Sequence, residues 1–517
     1  MGSSSSRPVL RSWSSRRMGY FLVFVIIARV IRLVIEEKNR GHKEWRIVYN
    51  QGNKLLGSIV ARLSGGGKYP QTYWTPLLPF YVNRWLNLVL TGAKQLLQAQ
   101  TFRSERIKTP DGGLISVEWL DTPGQRQLND DAPLFLVLHT IEGHSGNHGC
   151  WVRDAAERGW RVAVFNRRGA GNLPLKTPRF NVLGCPDDVH CQTRHACGKF
   201  PDAKFVGMTG LSAGSALLIS YLGKYAGKTP VNAGACLCPP YDVDFLIEQL
   251  DANHPVVAQG MLWKMKQTFV SGNEHILDSP LSISNKKKFD FESPCEEEDI
   301  TNSGAKELSR TRSLQEFFRA QSRHSLHDVY SPSFHDDYSN NNYNENSKQS
   351  SYRDPSNKYE EGKIETRDVG NSYNDGNGEK DIQKSSGLRK EKHRQQQQHT
   401  NHDENNINSN DDNNNRYIEQ WRKLSDPKTF FQKVKTPVFV LSSQDDPICL
   451  QENIPSDTKL KQNGNYAVMI TPHGSHIAYN DGVFGQRCFA IERSLDFFEA
   501  VMSEYRTKIS PGPLYEG

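Results

Sequence analysis

Seven short strand-like runs, separated mostly by helical stretches, constrain this 517-residue chain more than any other feature. "APLFLVLH" (132–139), "GWRVAVFN" (159–166), "KFVGMTG" (204–210), "NAGACLC" (232–238), "TPVFVLSS" (436–443) and "NYAVMIT" (465–471) are close to continuous in apolar residues. Strands covered on both faces read this way. "GLISVEWL" (113–120) alternates instead. Strands alternating with helices predict an α/β architecture, a mainly parallel central sheet with helices on both faces. The core is expected in two parts, 110–240 and 416–505, followed by a short tail, 506–517.

Different material lies between the two parts. In "VVAQGMLWKMKQTF" (256–269), Val257, Met261, Met265 and Phe269 fall on one helical face, and "SRTRSLQEFFRAQSR" (309–323) reads as one further helix. The region 241–324 is expected to cover the core as a lid. Residues 325–415 are rich in Asn, Gln, Ser and charge, with runs such as "RQQQQHTNHDENNINSNDDNNN". Such sequence buries too little apolar surface to offset its ordering entropy, so a disordered insertion is expected. It also explains why only 36% of the chain is hydrophobic.

The N-terminus has its own character. Residues 1–17 form a basic tail, and residues 1–46 hold ten Lys/Arg against three acids. The run "MGYFLVFVIIARVIRLVIEE" (18–37) is apolar from Met18 to Ala28, then carries Arg29 and Arg32. About 20 residues span a bilayer core, so the run suits a short signal-anchor with snorkelling arginines, or a helix lying in the interface. Gly2 followed by Ser6 also matches the myristoylation pattern. Cations around an apolar run point to an anionic membrane, single-pass or peripheral, and not to nucleic acid. Residues 38–109 are read as a linker and lead-in.

Gly210-Leu211-Ser212-Ala213-Gly214 is a complete G-x-S-x-G between an apolar run and the helix-forming "SALLISYLGKY". A serine held in such a turn stands at a helix N-terminus, where developing negative charge is favoured. It needs a base and an orienting acid, expected later in the chain at strand ends. "VFVLSSQDDPICL" (438–450) offers Asp446, with Asp445 as alternate. "VMITPHGSHIAYNDG" (468–482) offers His476, with His473 as alternate. The oxyanion donors are expected at the Ala213 amide and, from the loop "LHTIEGHSGNHG" (138–149), at His144. Cys185, Cys191 and Cys197 with His190 and His195, and separately His139, His144 and His148, lack zinc-type spacing. No metal or cofactor is expected. The nine cysteines, without a small-domain disulfide pattern, are expected to be mostly reduced.

Seven stretches together carry a family likeness: "YPQTYWTP", "DGGLISVEWLD", "EGHSGN", "VAVFNRRGAGNLPLKTPRF", "GLSAGSALLISYLGK", "LSSQDDPI" and "PHGSHIAY". The chain resembles the α/β-hydrolase domain proteins of the group holding mammalian types 1, 2, 3 and 15 and the yeast medium-chain fatty acid ethyl ester synthase/esterases. The resemblance spans about 69–245 and 416–500. It implies an α/β-hydrolase fold, a Ser212–His476–Asp446 triad, and a membrane-anchored enzyme of endoplasmic reticulum or another endomembrane acting on lipid esters. Ester synthesis with an alcohol acceptor is the alternative, and a catalytically silent binding protein the second. Two departures stand out. Ala213-Gly214-Ser215 replaces the family's Met-Gly-Gly, and Glu142-Gly143 replaces Pro-Gly or His-Gly.

Overall fold

The computed structural model describes residues 46–65, 83–141, 143–171, 173–277, 304–326, 426–481, 485 and 487–509, with Tyr20, Val23, Phe24, Ile27, Ala28 and Ile31. Eleven strands lie among these residues: β1 Arg46–Tyr49, β2 Phe102–Lys108, β3 Leu114–Leu120, β4 Leu134–Leu138, β5 Arg161–Asn166, β6 Val206–Leu211, β7 Ala233–Leu237, β8 Val438–Ser443, β9 Tyr466–Thr471, β10 Asn480–Asp481 and β11 Arg487–Cys488. The main helices are α1 Lys54–Gly65, α2 Arg84–Leu97, α3 Gly149–Glu157, α4 Pro186–Lys199, α5 Ala213–Tyr225, α6 Val243–Asn253, α7 Pro255–Met265, α8 Gly304–Arg310, α9 Leu314–Leu326 and α10 Phe489–Ile509.

Nine strands form one sheet in the order β1-β9-β8-β7-β6-β4-β5-β3-β2. From β5 to β9 all neighbours are parallel, while β3 joins β5, β2 joins β3 and β1 joins β9 antiparallel. The residues expected to be linker and lead-in thus supply both edge strands and two helices. Their strands escape an apolar-run search for a physical reason. β1 is four residues, and β2, "FRSERIK", keeps its charges at a half-exposed edge.

Strand β4 shows how the sequence positions the layers. It is buried along its whole length. Phe135 and Val137 pack on one face of the sheet with Trp160, Phe498 and α1 residues such as Leu56. Leu134, Leu136 and Leu138 pack on the other with Leu217, Tyr221 and Leu222 of α5. A period of two sends alternate side chains to opposite faces, so a doubly covered strand is apolar throughout.

A third cluster lies above the C-terminal ends of the strands. It joins α6, α7 and α9 through Leu246, Leu262 and Phe317 and includes Ala213, the residue after Ser212. On α7 and the π-helical turn that follows, the buried stripe is Ala258, Leu262, Met265 and Phe269, while Val257 and Met261 are partly buried. The helix expected over 309–323 is two helices, because Thr311–Ser313 break it and the Thr311 hydroxyl caps back to Leu308 O (2.8 Å).

Arg168 ties this end together. Its guanidinium grips Asp188 with two bonds (2.8 and 2.7 Å) and Asp111 with two more (2.5 and 2.9 Å). The two carboxylates hold its pKa above the ordinary arginine value against the opposing effect of burial. Removing one partner of a buried ion network leaves charge uncompensated, which costs about 3 kcal/mol or more. Asp188→Ala should therefore lower the urea midpoint of unfolding by that amount of stability, measured by circular dichroism.

Several expectations fall outside the described residues: Gly2, Glu142, and the insertion expected over 325–415 apart from Ser325 and Leu326, which instead end helix α9. Of the expected anchor over 18–37, the described Tyr20, Val23, Phe24, Ile27, Ala28 and Ile31 are helical and exposed. Among the described residues no helix is long and apolar enough to cross a membrane, so a signal-anchor or single-pass span has no support there.

Candidate active site

Ser212 sits between β6 and α5 with φ 54° and ψ −116°, a conformation that costs a non-glycine residue strain. Its neighbours at plus and minus two must be glycine. A Cβ on Gly214 would lie 2.1 Å from Leu138 O, and one on Gly210 would lie 2.4 Å from Gly214 O. The turn is bolted from below. Ser212 N donates to Leu237 O (2.9 Å), and Ser215 Oγ bonds to both Gly210 O (2.7 Å) and Leu237 O (3.0 Å). Ser215, one of the departures from the family pattern, thus supplies a hydroxyl that a glycine would lack.

Two loops at the ends of β8 and β9 meet this serine. His476 Nε2 is 2.8 Å from Ser212 Oγ, and His476 Nδ1 is 2.9 and 3.1 Å from the two oxygens of Asp446. Asp446 Oδ1 also accepts from the amides of Ile448 and Cys449 (2.8 Å each), which fixes the carboxylate. The three groups form one continuous hydrogen-bonded chain, with Asp446 buried. Asp445 and His473 stand apart from Ser212 and pair with each other at 3.6 Å. Asp445 also accepts from Ser475 N (2.7 Å) and from Ser443 Oγ, so it braces the loop that carries His476. That loop is itself strained, with positive φ at Ser475 and Ile477.

The loop after β4 forms the other wall. Gly143 N donates to Thr140 O (3.1 Å), and Gly214 packs against Leu138 O and His139 O. His144 is half-buried, and its Nδ1 accepts from Gly146 N (3.1 Å). Burial, and then the charge of Lys264, lower its pKa, which keeps the ring neutral. Ala213 N lies in the first turn of α5, where amides have no intrahelical acceptor.

Arg167 is a residue that sequence patterns did not single out. It is buried, its Nε has no partner among the described residues, and no described carboxylate pairs with it. Burial lowers its pKa to about 9, still high enough to leave it charged at neutral pH. Its guanidinium donates to Val182 O (2.7 Å), to Thr140 O (3.2 Å) and to His139 O. Its backbone N–H donates to His139 Nε2 (3.4 Å), while His139 Nδ1 lies 2.7 Å from Thr140 O. The signal was present in "FNRRG", but two adjacent arginines do not reveal that one grips two carboxylates and the other three backbone carbonyls.

Cys238, Asp446 and His476 offer donor atoms within 4.8 Å of one another, the one three-donor group among the described residues. Burial, with Asp446 nearby, pushes the Cys238 thiol well above its ordinary pKa, so it remains a thiol and donates to Ser475 O (3.7 Å). That suits hydrogen bonding better than metal ligation. The Cys185–Cys197 set lies along α4, with His190 stacked on Tyr225 (4.0 Å) and His195 at Glu105 (3.0 Å).

The α/β-hydrolase fold family model matches residues 133–269. Phospholipase ABHD3 of Bos taurus is 35% identical over 147 residues, which cover 28% of this chain and 35% of that protein. The putative esterase YheT of Escherichia coli is 29% identical over 140 residues, 26% of this chain and 40% of that one. Among solved structures, the Pyrococcus furiosus esterase Pf2001 is 11% identical with TM-score 0.36, covering 78% of this chain and 92% of that one. The chain spans about a third of the length of the phospholipase ABHD3 sequences it matches. The matched region runs from β4 through Ser212 and α7, and the chain has the α/β-hydrolase fold.

Proposed function

We propose that this protein is a membrane-associated serine hydrolase that cleaves carboxylic esters of lipids. The observation that carries the reading is the unbroken chain from Ser212 Oγ through His476 to Asp446. Ser212 Oγ attacks the ester carbonyl as His476 Nε2 takes its proton, giving a tetrahedral oxyanion. His476 then protonates the departing alcohol and leaves an acyl-serine. Water, deprotonated by the same imidazole, attacks the acyl carbonyl and releases the fatty acid, and Ser212 regains its proton. Asp446 holds the ring and balances the imidazolium.

The Ala213 amide is the first oxyanion donor, aided by the α5 dipole. The second comes from the loop after β4, at His144 or at Ile141. Ile141 is favoured because Arg167 holds Thr140 O, and in a trans peptide the Ile141 N–H points the opposite way. Helices α6 to α9 act as the lid, whose apolar stripe admits acyl chains. The relatives named phospholipase support a lipid substrate, and with it a place at a membrane surface.

A fluorophosphonate probe tests the reading directly, because it reacts only with an activated serine. Wild type should label and Ser212→Ala should not. Equal labelling of both would place the nucleophile elsewhere. No labelling of folded wild type would mean a silent hydrolase fold.

A further inference from the structure

Helix α2 is built inside out. Its inward residues Asn87, Thr91 and Gln95 are polar and buried. Its outward residues Val89, Leu90, Gly92, Ala93, Leu96 and Leu97 are all apolar. Val89, Leu96 and Leu97 are 68%, 65% and 87% exposed. A surface helix in water has the reverse pattern.

The inversion is fixed by hydrogen bonds. Asn87 Nδ2 donates to Ala478 O (2.8 Å), and Asn480 Nδ2 donates to Asn87 Oδ1 (2.8 Å) and Thr91 Oγ1 (2.6 Å). Ser475 Oγ donates to Arg84 O (2.7 Å), and Lys94 Nζ to Gly485 O (2.8 Å). Turning the apolar face inward would strand these buried groups, so the helix cannot roll over. Its partners Ser475 and Ala478 flank His476. The outward apolar face is therefore rigidly attached to the loop that reaches Ser212.

Helix α7 stands beside it. Trp85 meets His254, the residue before α7, edge-on at 5.7 Å. Seven residues apart on one face of α7, Val256 and Trp263 are 84% and 63% exposed. Residues 84–97 and 255–270 contain Arg84, Lys94, Lys264 and Lys266 and no carboxylate. These segments carry cations and no acid of their own, with Asp154 near Lys94 and Glu316 near Lys266, and an apolar face with tryptophan and such cations complements an anionic bilayer.

We propose that α2 and the outer face of α7 form a membrane-docking surface that seats the Ser212–His476 site on a bilayer containing anionic lipid. The proposal deepens the lipid-ester reading and rests on it for the substrate, while the docking stands on its own. Acyl chains then enter from the bilayer beside α7 without crossing water.

The test uses full-length protein on phosphatidylcholine–phosphatidylglycerol vesicles carrying a phospholipid with a diazirine in its acyl chain. Crosslinked peptides are mapped by mass spectrometry. Wild type and Ser212→Ala should both crosslink within 84–97 and 255–265. A Val89→Glu/Leu96→Glu variant should crosslink there about tenfold less and hydrolyse vesicle lipid about tenfold more slowly, with turnover of a short soluble ester kept. Vesicle-bound protein without lipid crosslinks on 84–97 would overturn the proposal. So would protein crosslinks from that face to another segment or a second copy. Crosslinks without any lipid hydrolysis would keep the docking and sink the lipid-ester reading.

Discussion

Asp446→Asn should lower ester turnover about 10⁴-fold, while Asp445→Asn should cost about tenfold or less. The two residues are adjacent aspartates and both are buried, so side-chain type and burial do not separate them. Their partners do. Asp446 accepts from His476 Nδ1, and an amide there would offer an N–H to the same nitrogen and turn the ring to the wrong tautomer. Asp445 accepts from Ser475 N, so its loss loosens the loop and leaves the Asp446–His476 hydrogen bond in place. It should appear chiefly as a lower melting temperature. Turnover of a soluble ester and thermal unfolding, measured on both variants, check this. A large kinetic loss in Asp445→Asn with little in Asp446→Asn would move the orienting role to the Asp445–His473 pair.

Arg167→Lys should lower kcat about 10²-fold with KM nearly unchanged. The side chain does not touch substrate in this reading, so it is a positioning residue. Its fork spans three carbonyls of two loops, which the single ammonium of lysine cannot do. Without Arg167 the Thr140 carbonyl would be held only by Gly143 N and His139 Nδ1, and the Ile141 amide would be aimed less firmly at the oxyanion. A misplacement of about 1 Å is enough for a loss of this size. A role limited to stability would instead lower the melting temperature and leave kcat intact.

The sequence carried much of this arrangement, and its gaps have identifiable causes. The parallel strands were legible because burial on both faces forces continuous apolar runs. Ser212, Asp446 and His476 were legible because each ends or follows such a run, in the required order. Choosing Asp446 over Asp445 needs the turn geometry, which places one carboxylate at His476 and the other at Ser475 N. The edges β1 and β2 were missed because they are short or charged. Helix α2 shows the deepest gap. Its periodicity is plain in the sequence, but periodicity cannot tell which face points inward, and here the polar face does.

The place of β1 in the sheet has a consequence for the timing of synthesis. Arg46–Tyr49 emerges first among the strands, yet its partner is β9, about 420 residues later. At ~5–20 residues per second, a ribosome takes roughly 20–80 s to supply that partner. Until then one sheet border stays open, and His476, which follows β9, is unmade. The Ser212–His476 pair therefore cannot be completed before residue 476 has been made.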